Sequence, residues 1–215
     1  MISLNNYINI KKKVLSLTAK TKIIVVTKTF CVEKFQNIID LGHKDFGENR
    51  VQEAIEKWSP IIVKVKDVKL HLIGNLQSNK AREAVKIFDF IHSLGSEKLA
   101  LTLKNEENFL NKKIKYFIQI NLANETNKNG IIISEADNFI KFCKNDLSLN
   151  MIGLMCIPPI NSDVDFYFSQ LKEIAHKNNL TELSMGMSGD FVSAIHNGAT
   201  YIRIGSAIFG VRNNK

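Results

Sequence analysis

The sequence predicts an α/β protein, a compact (β/α)8 TIM barrel in a single domain. Two observations predict it. Short apolar runs rich in Ile and Val alternate with segments of helical period along the whole chain. Several of those runs are nearly continuously apolar, as parallel strands covered on both faces must be. Eight such runs fit a closed barrel, although counting alone leaves an open doubly wound sheet as the alternative.

The elements follow in order. A helix is expected over about residues 3–20, before a barrel spanning about 22–212. Strands are expected at Ile23–Thr27, Asp45–Gly47, Lys69–Ile73, Phe90–Leu94, Tyr116–Asn121, Met151–Ile157, Glu182–Met187 and Tyr201–Ile204. Helical patterns lie at Glu33–Leu41, Arg50–Trp58, Asn79–Phe88, Ser96–Phe109, Ser134–Lys144, Val164–Asn178 and Gly189–Asn197. Ser134 and Asp137 have the spacing of a capping box, and Gly42, Gly198 and Pro158-Pro159 punctuate element ends.

Composition narrows the function. The 215 residues are 45% hydrophobic and 23% charged, enough to bury a core and too apolar for a disordered chain. No apolar run reaches the roughly 20 residues of a membrane-spanning helix. The polar start, Met1 to Lys13, is not expected to be a secretory signal. Cys31, Cys143 and Cys156, an odd number widely spaced, suit a reducing, cytoplasmic setting. The net charge of +8 raises the question of nucleic acid, but of 29 basic residues only Arg50, Arg82, Arg203 and Arg212 are arginine. Phosphate and guanine contacts favour arginine, so a solvated lysine-rich surface is the expectation.

A parallel barrel carries its site at the C-terminal ends of its strands. Those ends offer Lys28, Glu48-Asn49, Asn121, Met155, Gly186-Met187-Ser188 and Arg203 with Gly205-Ser206. Lys28 follows Ile23-Ile24-Val25-Val26-Thr27; a lysine desolvated at a barrel mouth has a freed amine that can condense with an aldehyde. The competing reading is a surface lysine. Gly205 admits close backbone approach and Ser206 can cap a following helical turn, an anion site of the kind late barrel loops provide; a plain tight turn competes. Ser188 offers a second helix start, as N-cap or phosphate ligand. Arg203 alternates with Ile202 and Ile204 and so faces the interior, with an ion pair to Glu48 as the competing account. Met155 or Cys156 faces inward, Met155 as core filler or a soft wall against a ring. His71 and His92 are read as core histidines, Trp58 as packing, and no metal spacing joins the histidines.

Taken together, Val25-Val26-Thr27-Lys28-Thr29, Phe46-Gly47-Glu48-Asn49, His71-Leu72-Ile73-Gly74-Asn75-Leu76-Gln77-Ser78-Asn79-Lys80, Gln119-Ile120-Asn121, Gly153-Leu154-Met155, Met185-Gly186-Met187-Ser188-Gly189-Asp190 and Arg203-Ile204-Gly205-Ser206-Ala207-Ile208-Phe209-Gly210 resemble the pyridoxal phosphate homeostasis proteins, whose fold is like the N-terminal barrel of alanine racemase. The resemblance implies pyridoxal 5'-phosphate (PLP) as cofactor, held as a Schiff base on Lys28. It implies Ser188, Gly205 and Ser206 at the phosphate, Arg203 at the pyridine nitrogen, and Asn49 and Met155 along the ring. It departs from the family pattern at Arg50, Asn75 and Val192. It further implies a role in intracellular vitamin B6 and amino-acid homeostasis without robust catalysis, because an arginine at the ring nitrogen weakens the electron sink. PLP-dependent apoenzymes would be its partners, with no nucleic acid or membrane, and a monomer is expected. A PLP-dependent racemase or lyase on a small amino acid is the second reading. A basic RNA- or partner-binding module is the third.

Overall fold

The computed structural model describes residues 2–210. Helix α1, Ile2–Leu17, precedes the barrel and buries Tyr7 and Val14. The barrel strands are β1 (Lys22–Val26), β2 (Asp45–Glu48), β3 (Lys69–Leu72), β4 (Phe90–Leu94), β5 (Lys115–Asn121), β7 (Asn150–Met155), β8 (Glu182–Ser184) and β9 (Tyr201–Ile204). A two-residue strand, β6 (Ile131–Ile132), pairs with β5 outside the ring. All neighbours run parallel, β1 pairs with β9, and β4 pairs with β5, so the ring closes on eight strands. Closure removes the sheet edges and settles the choice against an open sheet.

Between the strands lie α2 (Gln36–Asp40), α3 (Val51–Ile62), α4 (Ala81–Ile87), α5 (Glu97–Leu110), α6 (Ile133–Lys141), α7 (Val164–Lys177) and α8 (Phe191–His196), and α9 (Ser206–Phe209) follows β9. Each turns its apolar stripe onto the outer face of the sheet, as Ala54, Trp58 and Ile61 of α3 do. The apolar interior therefore forms two layers. The larger lies between sheet and helices, and the smaller, Ile24, Phe90, Phe117, Met155 and Tyr201, lies inside the ring.

Several expected boundaries change. The helix expected over Glu33–Leu41 is a 3-10 turn, Val32–Lys34, followed by the short α2. Helix α3 runs past Trp58 and through Pro60 because Ile61 still packs on the core. The expected capping box at Ser134 does not form. Ile132 is the N-cap of α6, two residues earlier than that motif requires, and Asp137 instead accepts from Lys177 Nζ and Asn178 Nδ2. Strand β8 stops at Ser184, because Gly186 at φ +87° leaves the sheet; a side chain there would overlap Ala194 Cβ. Residues 211–212 of the expected barrel lie outside the described residues.

Candidate functional site

The C-terminal strand ends surround a cavity of about 410 Å³, within the range of small-molecule sites. Six of the seven expected site residues line it: Lys28, Asn49, Ser188, Arg203, Gly205 and Ser206. They come from the C-terminal ends of four strands, β1, β2, β8 and β9, and the residues that follow them, and barrel closure brings them together. Met155 is placed elsewhere. It is fully buried inside the ring with Ile24, Phe90, Phe117 and Tyr201, while Cys156 faces the surrounding helices.

Lys28 is half-buried, two residues past β1, with Val26 and Phe30 on the cavity wall beside it. The backbone on both sides of Lys28 is fixed from behind. Thr27 Oγ1 donates to Glu48 Oε1 at 2.7 Å, and the Thr27 carbonyl accepts from Lys57 Nζ at 2.8 Å. Thr29 takes a left-handed φ of +67°, and its N–H donates to Glu53 Oε1. A β-branched residue there is strained, and the Glu53 contact is what holds it. Asn49 is set by a close backbone approach. A Cβ on Gly74 would overlap the Asn49 carbonyl oxygen, so only glycine admits β3's continuation there.

Arg203 is buried at the cavity floor. Its Nη1 donates to Ser184 Oγ at 2.8 Å and its Nη2 to the Cys156 carbonyl at 2.9 Å. Burial lowers its pKa, and Cys156 and Asp190 act the other way. The competing ion pair with Glu48 does not form. Glu48 Oε1 is taken by Thr27, Lys57 Nζ at 2.9 Å and Trp58 Nε1 at 2.9 Å, on the outer side of β2. Trp58 packs, as expected, and is also a donor to that carboxylate.

The two expected anion-binding segments meet. Ser188 Oγ accepts the Ala207 N–H at 3.1 Å, which joins the loop after β8 to the turn after β9. Two expected caps are corrected. Asp190, not Ser188, is the N-cap of α8, and Gly205, not Ser206, is the N-cap of α9. Ser206 then opens the turn and lines the cavity. Arg50 is exposed at the N-cap of α3 and lies off the cavity wall.

Sequence reasoning missed the apolar walls Val26, Phe30, Ile73 and Ile157, and named Met187 only as part of a strand end. They carry no chemical signature, and only their position at or within four residues of a strand's C-terminal end could have marked them. It also missed Lys57 and Glu53, whose helical spacing reads as an ordinary exposed i,i+4 pair.

The cavity combines a half-buried amine, a buried guanidinium, hydroxyls beside backbone N–H groups, and apolar walls. That set suits a flat heteroaromatic aldehyde carrying an anionic group.

Comparison with known proteins agrees on the architecture. The family described as alanine racemase, N-terminal domain, matches residues 4–213. A pyridoxal phosphate homeostasis protein of Synechocystis sp. is 37% identical over 206 residues, covering 92% of this chain and 94% of its own. Its namesake in Pasteurella multocida is 36% identical over 202 residues, covering 89% and 87%. PipY of Synechococcus elongatus, solved without PLP, superposes with a TM-score of 0.90 at 33% identity over 98% of this chain and all of its own. PipY with PLP bound gives a TM-score of 0.86 at 32% identity over the same share. An alanine racemase of Clostridium difficile, 14% identical with a TM-score of 0.79, shares the fold across 58% of its length.

Proposed function

Given that this chain belongs to the alanine racemase N-terminal domain family, and within it to the pyridoxal phosphate homeostasis proteins, we propose that it binds PLP at the barrel mouth and serves PLP and amino-acid homeostasis without robust catalysis of its own. The observation that carries the reading is the shared cavity of Lys28 and Arg203, with Ser188 and Ser206 at its edge.

The residues present fit the group. Lys28 Nζ would be the nucleophile for its aldehyde, a condensation that releases one water. Ser188 Oγ, Ser206 and the backbone of the turn at Gly205 would hold its phosphate. Arg203 would donate to the ring nitrogen, and Asn49 would flank the ring. When bound, PLP supplies an electrophilic carbon and an electron sink. Arg203 limits the sink, since a guanidinium donates a hydrogen bond to the nitrogen without giving up its proton.

Restrained chemistry follows from the same wall. A racemase or lyase needs a positioned acid or base on each face of the reacting carbon. The described residues lining the cavity include no carboxylate, imidazole, phenol or thiol, leaving Lys28 as the single candidate proton carrier. The reading places the protein in the cytoplasm as a monomer that releases PLP to apoenzymes. No helix among the described residues is long and apolar enough to cross a membrane.

The test is spectroscopic. Purified protein given PLP is expected to turn yellow, and borohydride is expected to fix the adduct on the peptide carrying Lys28, with none in Lys28→Ala. A colourless, unmodified wild-type protein would overturn PLP binding. Reproducible turnover of alanine or another small amino acid, lost in Lys28→Ala, would replace carriage with catalysis.

A further inference from the structure

The barrel interior holds a continuous polar chain that the proposed function does not use. Arg203 Nη1 donates to Ser184 Oγ at 2.8 Å, and Ser184 Oγ lies 2.8 Å from His92 Nδ1. His92 Nε2 lies 3.0 Å from His71 Nδ1, and His71 Nε2 lies 3.0 Å from Asp45 Oδ1. The links belong to β9, β8, β4, β3 and β2 in turn, so the chain crosses the ring from the site to the start of β2, at the opposite end of the barrel. Ser184, His92 and His71 are fully buried, and the Asp45 side chain is 19% exposed. Both imidazoles are held flat. His71 stacks on Phe90 at 4.2 Å and 10°, and His92 on Phe117 at 4.2 Å and 17°.

The two ends decide the direction of every link. A guanidinium can only donate, and a carboxylate can only accept. Asp45 accepts from His71 Nε2–H, so neutral His71 accepts at Nδ1 from His92 Nε2–H, and neutral His92 accepts at Nδ1 from the Ser184 hydroxyl, which itself accepts from Arg203. Both rings are therefore Nε2–H tautomers. Running the chain in reverse requires a protonated Asp45. Burial works against ionising Asp45, but the hydrogen bond donated by His71 and the charge of Lys22 outweigh it and lower its pKa. Burial pushes both chain histidines below their ordinary pKa, which keeps them neutral; Asp45 opposes this at His71, and Arg203 reinforces it at His92. The groups that face Asp45 are Lys22 on β1, His43 ahead of β2 and His71 on β3. His43 is itself tied, its Nε2 donating to the Asp45 carbonyl at 2.9 Å and its Nδ1 accepting from Tyr7.

We propose that Asp45, His71, His92 and Ser184 are positioning residues for Arg203, forming a one-way hydrogen-bond chain that keeps the guanidinium charged and fixed against the ring nitrogen of a bound pyridine. The inference rests on the PLP reading for its ligand but not for its geometry. The hydrogen-bond partners of Arg203, Ser184 Oγ and the Cys156 carbonyl, are not carboxylates, and a buried guanidinium so placed needs its charge balanced from further off, by Asp190 and through the chain. An aligned chain does this, because each polarised link strengthens the next. A carboxylate placed directly against Arg203 would satisfy the charge but compete with the ligand for the donor.

Two measurements decide it. In ligand-free protein labelled with 15N-histidine, His71 and His92 are expected as neutral Nε2–H tautomers from about pH 6 to 8. A charged ring or an Nδ1–H tautomer at either position overturns the chain. The second measurement is a double-mutant cycle on PLP affinity, using Asp45→Asn at one end and Ser184→Ala at the other. Each is expected to weaken binding about fivefold, the worth of one hydrogen bond. The pair is expected to be no worse than the weaker single variant, because a chain broken once is broken. Two rings separate these positions, so merely structural effects would multiply. Multiplied losses, or no loss in either single variant, overturn the proposal. If wild-type protein binds no PLP, the proposed function fails and the tautomers alone judge the chain.

Discussion

Lys57 Nζ donates to Glu48 Oε1 at 2.9 Å in a place almost closed to water, the two side chains being 9% and 0% exposed. The same ammonium reaches Glu53 Oε1 and the Thr27 carbonyl, each at 2.8 Å. One cation behind the barrel wall therefore balances two carboxylates and anchors the backbone on both sides of Lys28. Glu48 Oε2 is buried without a hydrogen-bond partner, so the carboxylate depends heavily on the partners of its other oxygen.

Lys57→Met is expected to cost about 3–5 kcal/mol, the range for leaving a buried charge uncompensated. Denaturant unfolding measures it. Glu48→Gln in the same chain should recover part of the loss, since the stranded charge is then gone. A single variant within about 0.5 kcal/mol of wild type, the range of ordinary surface changes, would show that the pair does no such work.

Ser188→Ala is expected to separate the phosphate from the ring. PLP affinity should fall about tenfold, equivalent to about 1.4 kcal/mol and near the lower end for a hydrogen bond to a charged group. Affinity for pyridoxal, which lacks the phosphate, should barely change. Equal losses for both ligands would place Ser188 away from the phosphate.

Gly74→Ala is expected to destabilise by about 1–3 kcal/mol, as overpacking does, because the new methyl meets the Asn49 backbone rather than a movable side chain. Thermal unfolding reads the stability, and PLP titration should show weaker binding as Asn49 shifts. An unchanged melting temperature would mean that the loop yields freely.

Stability should fall as the solution is acidified from neutrality. His43, His71 and His92 all have pKa values lowered by burial in the folded state. The unfolded chain therefore takes up protons below about pH 6.5 while the folded protein does not, and stability is lost on that side. Asp45, whose folded pKa is also lowered, adds a further loss as pH drops through its own range, below about pH 4. Urea midpoints at pH 7.5, 6 and 5 would show the trend, and His92→Asn should flatten it. A midpoint constant from pH 7.5 to 5 would contradict the buried neutral histidines.

Native alkylation should be selective for one thiol. Cys31 is exposed, whereas burial pushes the Cys143 and Cys156 thiols up to about 12. Thiolate is the reactive form, so one equivalent of label at Cys31 is expected before unfolding and three after. Early labelling of Cys156 would mean that the wall beside Arg203 opens.

The eight strands were legible because a strand covered on both faces must be apolar along its length, as Ile23 to Val26 is. Strand ends were less so. Nothing local distinguishes Met187, beyond β8, from the strand residues before it, and the exit at Gly186 is set by its packing on Ala194. Most of the candidate site was also legible, because Lys28, Asn49, Ser188, Arg203, Gly205 and Ser206 fall just beyond or at the ends of strands whose order the pattern gives. Met155 was not, because alternation tells which residues face inward but not how deep within the ring they lie.

By itself the sequence determined the class of fold, the end of the barrel where chemistry gathers, and the residue types that gather there. Those depend on period and order along one chain. The tertiary structure alone decided the partners. Glu48 could have faced Arg203, yet it turns outward to Lys57 and Trp58, and Arg203 finds Ser184 instead. His71 and His92 read separately as core histidines, and their joining with Asp45 into one chain depends on strand register across a closed ring. Hydrogen bonds are satisfied between neighbours in space, and in a closed barrel those neighbours come from strands far apart in sequence.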